Sequence, residues 1–143
     1  MADPRELVQL LAGAYNGHDA DALARLYSPE AEAEIPGGQV FRSREALVHH
    51  SSEEWNEYPD ARVDTNRIMV DGPTAVWQYT WSATNTNPLR MPSGETISPT
   101  GRTMVLPCIT VLETKDGLVR STRSYWDNME AFAQLGLLPA AST

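Results

Sequence analysis

The order of two hydrophobic periodicities constrains the fold of this chain more than any other feature. Before residue 58 the apolar residues recur at helical spacing, whereas residues 61–126 are dominated by long strand-like segments. Helices gathered at one end of a chain and antiparallel strands at the other are typical of an α+β domain, in which the helices cover one face of a curved sheet. A length of 143 residues fits one domain, so we predict a single domain over residues 1–143.

Four segments have the spacing and the end signals of helices. Asp3 and Ser43 stand where N-cap residues are expected, and Pro4 occupies a first helical position, where its missing N–H costs nothing. Pro29 limits the second helix. The predicted helices span Pro4–Tyr15, Asp21–Tyr27, Arg44–Glu57 and Asn128–Leu135.

Strand-like segments fill most of the remaining sequence. A short strand over Ala31–Ile35 ends at a Pro-Gly-Gly turn, and the Asp-Gly pairs at 71–72 and 116–117 are typical of tight hairpins. These turns separate the long strands of an antiparallel meander, which we predict over 61–71, 74–84, 102–113 and 118–126.

The strand from Val105 to Leu112 is apolar on both of its faces. A strand buried on one side only would alternate more cleanly between apolar and polar residues. We therefore expect one face of the sheet to meet the helices and a pocket, and the other face to meet a second subunit. The pattern predicts a homodimer.

Charge and composition argue against several classes of partner. The formal net charge is −8 and the basic residues are scattered, so the positive patch that binds nucleic acid is missing. No apolar run approaches the roughly 20 residues that span a bilayer, and the first residues lack a signal-peptide pattern, so we expect no membrane partner and a cytoplasmic location. Cys108, the single cysteine, is expected to be buried, and no metal-binding motif occurs.

Asp127 is the leading candidate for acid/base chemistry. It follows the last predicted strand and shares one strand face with Arg123 and Tyr125, which we take as substrate contacts. Desolvation by nearby aromatic residues would raise the pKa of such a carboxyl toward the value that a general acid or base needs. The alternative is that Asp127 caps the final helix, since aspartate is a preferred N-cap residue.

Aromatic residues indicate an apolar substrate. Trp77, Tyr79 and Trp81 alternate along one strand face and form a wall suited to a flat or polyene ligand, although such a stripe also suits a core or a dimer interface. Tyr15 lies late on the first helix, where its phenol is placed to hydrogen-bond a substrate oxygen; the alternative is a core tyrosine. Trp55, on the third helix, is a further candidate substrate contact.

Two other polar positions are candidates for the site. His49 and His50 are about 100° apart on the third helix, so only one faces inward, and His50 is the better candidate because of its spacing from Leu47 and Glu54. The segment from Asn85 to Thr100 has no periodicity and is long enough to be a lid, with Asn85 as a candidate substrate contact.

A series of short motifs in a fixed order resembles a known family. These motifs read WNEYPDARV from Trp55, TAVWQYTWSATNTNPL from Thr74, PTGR from Pro99, DGLV from Asp116 and YWDNMEAFAQLGLLP from Tyr125. In this order they resemble the SnoaL-like polyketide cyclases, a branch of the NTF2-like superfamily. The resemblance implies a conical fold that holds a small apolar substrate, without a cofactor, in a dimer. It also implies that Asp127 occupies the position of the acid/base aspartate.

The chain departs from this family at one motif. Where relatives often carry Gly-Thr-His-Thr-Gly, this sequence has Ala83 to Asn87, without a histidine. Because that histidine is missing, an aldol closure is less favoured. A cyclisation or isomerisation that depends mainly on the shape of the pocket, with little acid/base help, is favoured instead. The leading hypothesis is thus a cofactor-independent enzyme of natural-product, for instance antibiotic, biosynthesis that acts on a polyketide-like intermediate, with Asp127 as acid/base and Tyr15 and His50 orienting the substrate. The alternatives are an epoxide hydrolase and a non-catalytic binding protein.

Overall fold

The computed structural model of the chain describes residues 2–91 and 93–138. Within these residues the helices are α1 (Pro4–Asn16), α2 (Ala20–Ala24), α3 (Arg44–Glu57) and α4 (Asn128–Leu135). The strands are β1 (Tyr27–Ile35), β2 (Gln39–Arg42), β3 (Arg62–Asp71), β4 (Thr74–Thr84), β5 (Leu89–Arg90), β6 (Thr96–Ile97), β7 (Thr103–Lys115) and β8 (Leu118–Tyr125). No helix in the described ranges is both long and apolar enough to cross a membrane.

One open, curved sheet carries the fold, in the order β2-β1-β8-β7-β4-β3. The predicted meander is confirmed, since β3, β4, β7 and β8 pair with antiparallel neighbours. Asp116 and Gly117 have φ angles of 54° and 76°, as a tight hairpin turn with two positive φ values requires. Strand β1 differs from the expectation because it lies parallel to β8.

Helices α1, α3 and α4 begin where the sequence predicts. The carboxylate of Asp3 accepts a hydrogen bond from the Glu6 N–H at 2.8 Å, and the Ser43 hydroxyl accepts one from the Ala46 N–H at 3.2 Å. The second helix is shorter than predicted and ends at Ala24. Sheet pairing is the reason, because the Leu26 carbonyl accepts a hydrogen bond from the Val119 N–H and Tyr27 opens β1.

The segment predicted as a long loop is anchored at its base by Asn85. This residue is fully buried, and its side-chain oxygen accepts hydrogen bonds from the N–H and the hydroxyl of Thr100 at 2.8 and 3.1 Å. Its backbone pairs with Gly101 and Arg102. Strands β5 and β6 form a small hairpin within the segment. Asn85 therefore serves the fold: its polar atoms close the loop, and it does not lie in the cavity wall where a substrate contact was predicted.

The two faces of the sheet have different surroundings. On β7 the side chains of Met104, Leu106 and Cys108 point inward and are buried, whereas Val105 and Ile109 point outward and are 52% and 40% exposed. Burial raises the pKa of the Cys108 thiol to about 11, which keeps it protonated. The inner face packs against the helices and encloses a cavity, and the outer face carries exposed apolar side chains, among them Val105 and Ile109.

Candidate functional site

A cavity of about 370 Å³ lies between the inner face of the sheet and the helices. This volume falls within the range of roughly 300 to 1,000 Å³ that is usual for small-molecule sites. Trp77, Tyr79 and Trp81 of β4 line it, so the aromatic stripe belongs to the cavity face. Residues from α4, including Phe132, line another part of it. The cavity is mostly apolar and has two polar regions.

The first polar region is centred on the Tyr15 hydroxyl. That hydroxyl accepts a hydrogen bond from the indole N–H of Trp81 at 2.8 Å and donates a hydrogen bond to the Oε1 atom of Glu54. Burial raises the pKa of Tyr15 well above its ordinary value, and the Glu54 carboxylate raises it further. Because the single proton of Tyr15 is committed to Glu54, the phenol positions this carboxylate and has no proton left to donate to a substrate.

His50 lies beside this pair, as its spacing predicts. Its Nε2 atom is 3.9 Å from the Oε2 atom of Glu54, and its ring stacks on Phe41 with a centroid separation of 4.4 Å. His49 points away from the cavity and contacts Glu53. In the described part of the chain, no group of three or more His, Cys, Asp or Glu side chains is arranged to hold a metal ion.

Glu57 is a second carboxyl group in the cavity wall, one helical turn beyond Glu54. Its pKa is raised by burial first, and then by repulsion from Glu54 and Glu53. The two cavity carboxyls therefore differ in environment: Glu54 accepts a hydrogen bond from Tyr15, whereas the pKa of Glu57 is raised by burial and by its acidic neighbours. Different environments of this kind allow two similar groups to serve as base and acid.

The second polar region is a chain of three hydroxyl groups across neighbouring strands. The Tyr79 hydroxyl lies 2.9 Å from the Thr110 hydroxyl, which in turn lies 2.8 Å from the Ser124 hydroxyl. All three residues line the cavity. Burial and the nearby Cys108 raise the pKa of Tyr79, so its phenol remains a proton donor.

The group at the end of β8 points away from the cavity. Because successive side chains of a strand alternate between faces, Ser124 and Trp126 line the cavity, while Arg123, Tyr125 and Asp127 face outward. Asp127 is exposed and caps α4, where its Oδ1 atom accepts hydrogen bonds from the N–H groups of Met129 and Glu130. Of the two interpretations of Asp127, the structure thus supports the helix cap. The predicted acid/base role has no support, because the carboxylate is exposed and faces away from the cavity. Arg123 forms an ion pair with Glu34 at 2.9 Å.

Trp55 lies behind the site rather than in it. Its ring is buried between His18, at a centroid separation of 5.0 Å, and Tyr15, at 5.6 Å. It is therefore not in the cavity wall, contrary to its predicted role, and it supports the position of Tyr15 from outside.

Sequence reasoning missed Glu54 as a candidate, although a signal for it was present. Glu54 stands four positions after His50, and residues at this spacing share one face of a helix. The face that carries His50 into the cavity carries Glu54 there as well.

Comparison with known families agrees with this architecture. The sequence model for the SnoaL-like domain matches residues 7–122, which is most of the chain. The chain belongs to the SnoaL-like domain family. No functionally curated protein matches the sequence.

Several solved structures share the fold of this SnoaL-like domain. A candidate SnoaL-like polyketide cyclase from Jannaschia sp. CCS1 is 19% identical, with a TM-score of 0.82 over 97% of this chain and 99% of that chain. TsrD from Streptomyces laurentii is 24% identical, with a TM-score of 0.80 over 96% and 100% of the two chains. IdmH from Streptomyces antibioticus, a candidate polyketide cyclase, is 22% identical, with a TM-score of 0.80 over 94% and 99%. At these identities the likeness shows the fold alone.

We predict that this SnoaL-like domain loses stability as the pH rises above about 10. Four of its five tyrosines, namely Tyr15, Tyr27, Tyr58 and Tyr79, have a pKa raised by burial, to about 12 for Tyr27. Above the unfolded pKa the folded chain holds more protons than the unfolded chain, so each further rise in pH favours unfolding. The stabilisation from these buried tyrosines is complete at pH values below the tyrosine pKa of the unfolded chain. It is lost as the pH rises toward the higher pKa values of the folded chain.

Urea unfolding midpoints measured from about pH 8 to about pH 11 test this prediction. Tyrosinate absorbance should increase together with the loss of tertiary structure. Ionisation of four tyrosines in a chain that keeps its native near-ultraviolet circular dichroism would contradict it.

Proposed function

We propose that the protein catalyses a cofactor-independent cyclisation or isomerisation of a polyketide or a related natural-product intermediate, with Glu54 as the acid/base group. The hydrogen-bonded pair of Tyr15 and Glu54 inside an aromatic cavity is the observation that carries this proposal. Glu54 takes the role that the sequence had suggested for Asp127.

The geometry leaves one oxygen of Glu54 available for chemistry. Tyr15 holds the Oε1 atom, whereas the Oε2 atom is 3.9 Å from His50, which is too far for a hydrogen bond. The Oε2 atom is thus free to remove a proton from a bound substrate. Glu57, the second carboxyl group of the cavity wall, is the group we assign to return a proton at another position.

The cavity walls supply the second part of the proposed mechanism. Trp77 and Trp81 present flat apolar surfaces that restrict a flexible ligand to a few conformations. Holding reacting groups in a productive geometry lowers the barrier of a ring closure by several kcal/mol, because the entropy of alignment is lost on binding. The fold shared with two candidate polyketide cyclases is in keeping with such a substrate.

Hydrolysis of an epoxide is the second candidate, and the pair of cavity carboxyls favours it. One carboxylate would activate water while a protonated carboxyl donates to the epoxide oxygen. Glu54 and Glu57 supply the two carboxyl groups, which the sequence alone did not reveal. Arg123, the residue that had supported this alternative, lies outside the cavity and no longer does so.

A base in an accessible apolar cavity should accelerate the ring opening of nitrobenzisoxazole, a flat compound that opens when one C–H proton is removed. We predict faster opening with the protein than with an equal concentration of acetate, followed by the absorbance of the phenolate product. Glu54→Gln should lower this rate by about 100-fold or more, because it removes the base.

Two variants control this measurement. Glu53→Gln changes an exposed residue of the same type on the same helix, and Asp127→Asn keeps a capping side chain while removing its charge. Both should leave the rate unchanged. If nitrobenzisoxazole quenches the cavity tryptophans but its opening is not accelerated, the proposed base is absent and a binding protein becomes the better account.

The hydrolase alternative has a separate test. With styrene oxide in isotopically labelled water, an epoxide hydrolase gives phenylethanediol that carries one labelled oxygen. Glu54→Gln and Glu57→Gln should each abolish this product if both carboxyls act, and Glu53→Gln should not. The absence of diol above the uncatalysed level, in a preparation that opens nitrobenzisoxazole, would exclude the hydrolase for this compound and favour the cyclase or isomerase.

We also propose that the outer face of the sheet forms a homodimer interface. Met69, Val105, Ile109 and Tyr125 are exposed there, and exposed apolar surface marks interaction sites. Light scattering after size exclusion at micromolar concentration should give about twice the chain mass of 15.8 kDa. Ile109→Lys should shift the mass to that of a monomer, whereas Leu10→Lys, at an exposed leucine of α1, should not. A monomeric unsubstituted chain would refute the proposal.

A further inference from the structure

The hydroxyl chain of Tyr79, Thr110 and Ser124 has one more proton than its own hydrogen bonds use. Three hydroxyl groups carry three protons, and the chain contains two hydrogen bonds. Among the described residues, Tyr79 and Ser124 form no further hydrogen bond of good geometry, and the Tyr79 hydroxyl also lies near the side chains of Ser124 and Cys108. One proton at an end of the chain is therefore available to a ligand.

The direction of the chain places that proton on Ser124. Each of the two hydrogen bonds can run in either direction. A phenol is a stronger donor than an aliphatic hydroxyl, and Tyr79 is only 8% exposed, which favours the arrangement in which Tyr79 donates to Thr110 and Thr110 donates to Ser124. Ser124 is partly exposed, and it lies in the cavity wall on β8. Hydrogen bonds in such a chain polarise one another, which makes the last hydroxyl a better donor than an isolated serine.

We propose that the Ser124 hydroxyl binds a carbonyl oxygen of the ligand, so that the cavity selects flat apolar ketones over the corresponding hydrocarbons. The inference rests on the proposed function in one respect, because it takes the ligand of the Glu54 site to occupy the same cavity. It adds a second fixed point to the substrate: a carbonyl oxygen held at the sheet, while the reacting proton lies near Glu54.

The chemistry of the cavity agrees with a ketone at this position. A carbonyl oxygen only accepts hydrogen bonds, and Ser124 offers a donor. A carbonyl oxygen also gains negative charge when a neighbouring C–H proton is removed, and a polarised hydroxyl stabilises that charge. Thr110 is itself 5% exposed and engaged on both sides, so it supports Ser124 as a positioning residue.

Fluorenone and fluorene are matched probes, because they are flat tricyclic compounds that differ in one carbonyl group. Quenching of the cavity tryptophans measures the affinity of each. We expect fluorenone to bind about tenfold more tightly than fluorene, the effect of one good hydrogen bond. The infrared C=O stretch of bound fluorenone should lie at lower frequency than in hexane, as a hydrogen-bonded carbonyl requires.

Ser124→Ala should abolish both the preference for fluorenone and the frequency shift, whereas Ser124→Thr, which keeps the hydroxyl, should retain both. Ser121→Ala is the matched control, because Ser121 lies on the same strand in the wall of a separate surface hollow. Thr110→Val should reduce the shift without removing it, since Ser124 remains but is no longer polarised.

The outcomes separate this inference from the proposed function. Glu54→Gln should leave the ketone preference within about twofold, since it does not touch the hydroxyl chain. Equal binding of fluorenone and fluorene by the unsubstituted protein, or an unchanged preference in Ser124→Ala, would overturn the inference even where nitrobenzisoxazole is opened by Glu54. A ketone preference that depends on Ser124 in a protein without base activity would overturn the proposed function alone.

Discussion

The hydroxyl oxygen of Tyr15 joins the helices, the sheet and the candidate site at one point. This oxygen belongs to α1. It accepts a hydrogen bond from the indole N–H of Trp81 on β4 and donates one to Glu54 on α3. An indole N–H only donates and a carboxylate only accepts, so the directions of both hydrogen bonds are fixed. Few arrangements of three elements satisfy two directed hydrogen bonds at once, and this requirement sets how the two long helices lie against the sheet.

This arrangement also offsets part of the free-energy cost of placing a carboxylate in an apolar cavity. A buried carboxylate without partners is strongly destabilised, and a phenol donor offsets part of that penalty. Trp55 packs behind the Tyr15 ring and keeps the phenol in place. The interaction that makes Glu54 tolerable in the folded chain is thus the one that orients it for chemistry. Fold stability and the proposed reaction depend on the same contacts.

How much of this was predictable depends on the kind of signal each residue carries. The caps at Asp3 and Ser43, the hairpin turn at Asp116 and Gly117 and the strands of the meander follow from local chemistry, and the sequence predicts them well. The parallel pairing of β1 with β8 has no local signal, because a strand's partner is chosen by tertiary contacts. The same contacts ended α2 early, at Ala24.

The assignment of the acid/base residue failed for a related reason. Period-two alternation groups Arg123, Tyr125 and Asp127 correctly on one face, but it does not say which face is inside. Ser124 and Trp126 occupy the cavity face, whereas Asp127, one position further along the chain, points outward and caps α4. On α3 the spacing of His50 from Leu47 does identify the side of the helix that faces the cavity, and Glu54 lies on the same side. The helical spacing was therefore a more reliable guide to the site than the strand alternation.

The two polar regions of the cavity are held in different ways, and this difference bears on how a ligand is aligned. The hydroxyl chain runs directly across three hydrogen-bonded strands, β4, β7 and β8, so its geometry is that of the sheet. Glu54 belongs to a helix, and its tie to the sheet passes through Tyr15 to Trp81. Trp81 and Tyr79 are two residues apart on one strand, about 7 Å along it. Strand β4 therefore sets the spacing between the oxygen-binding region and the proton-transfer region, and a change in its register would alter both together.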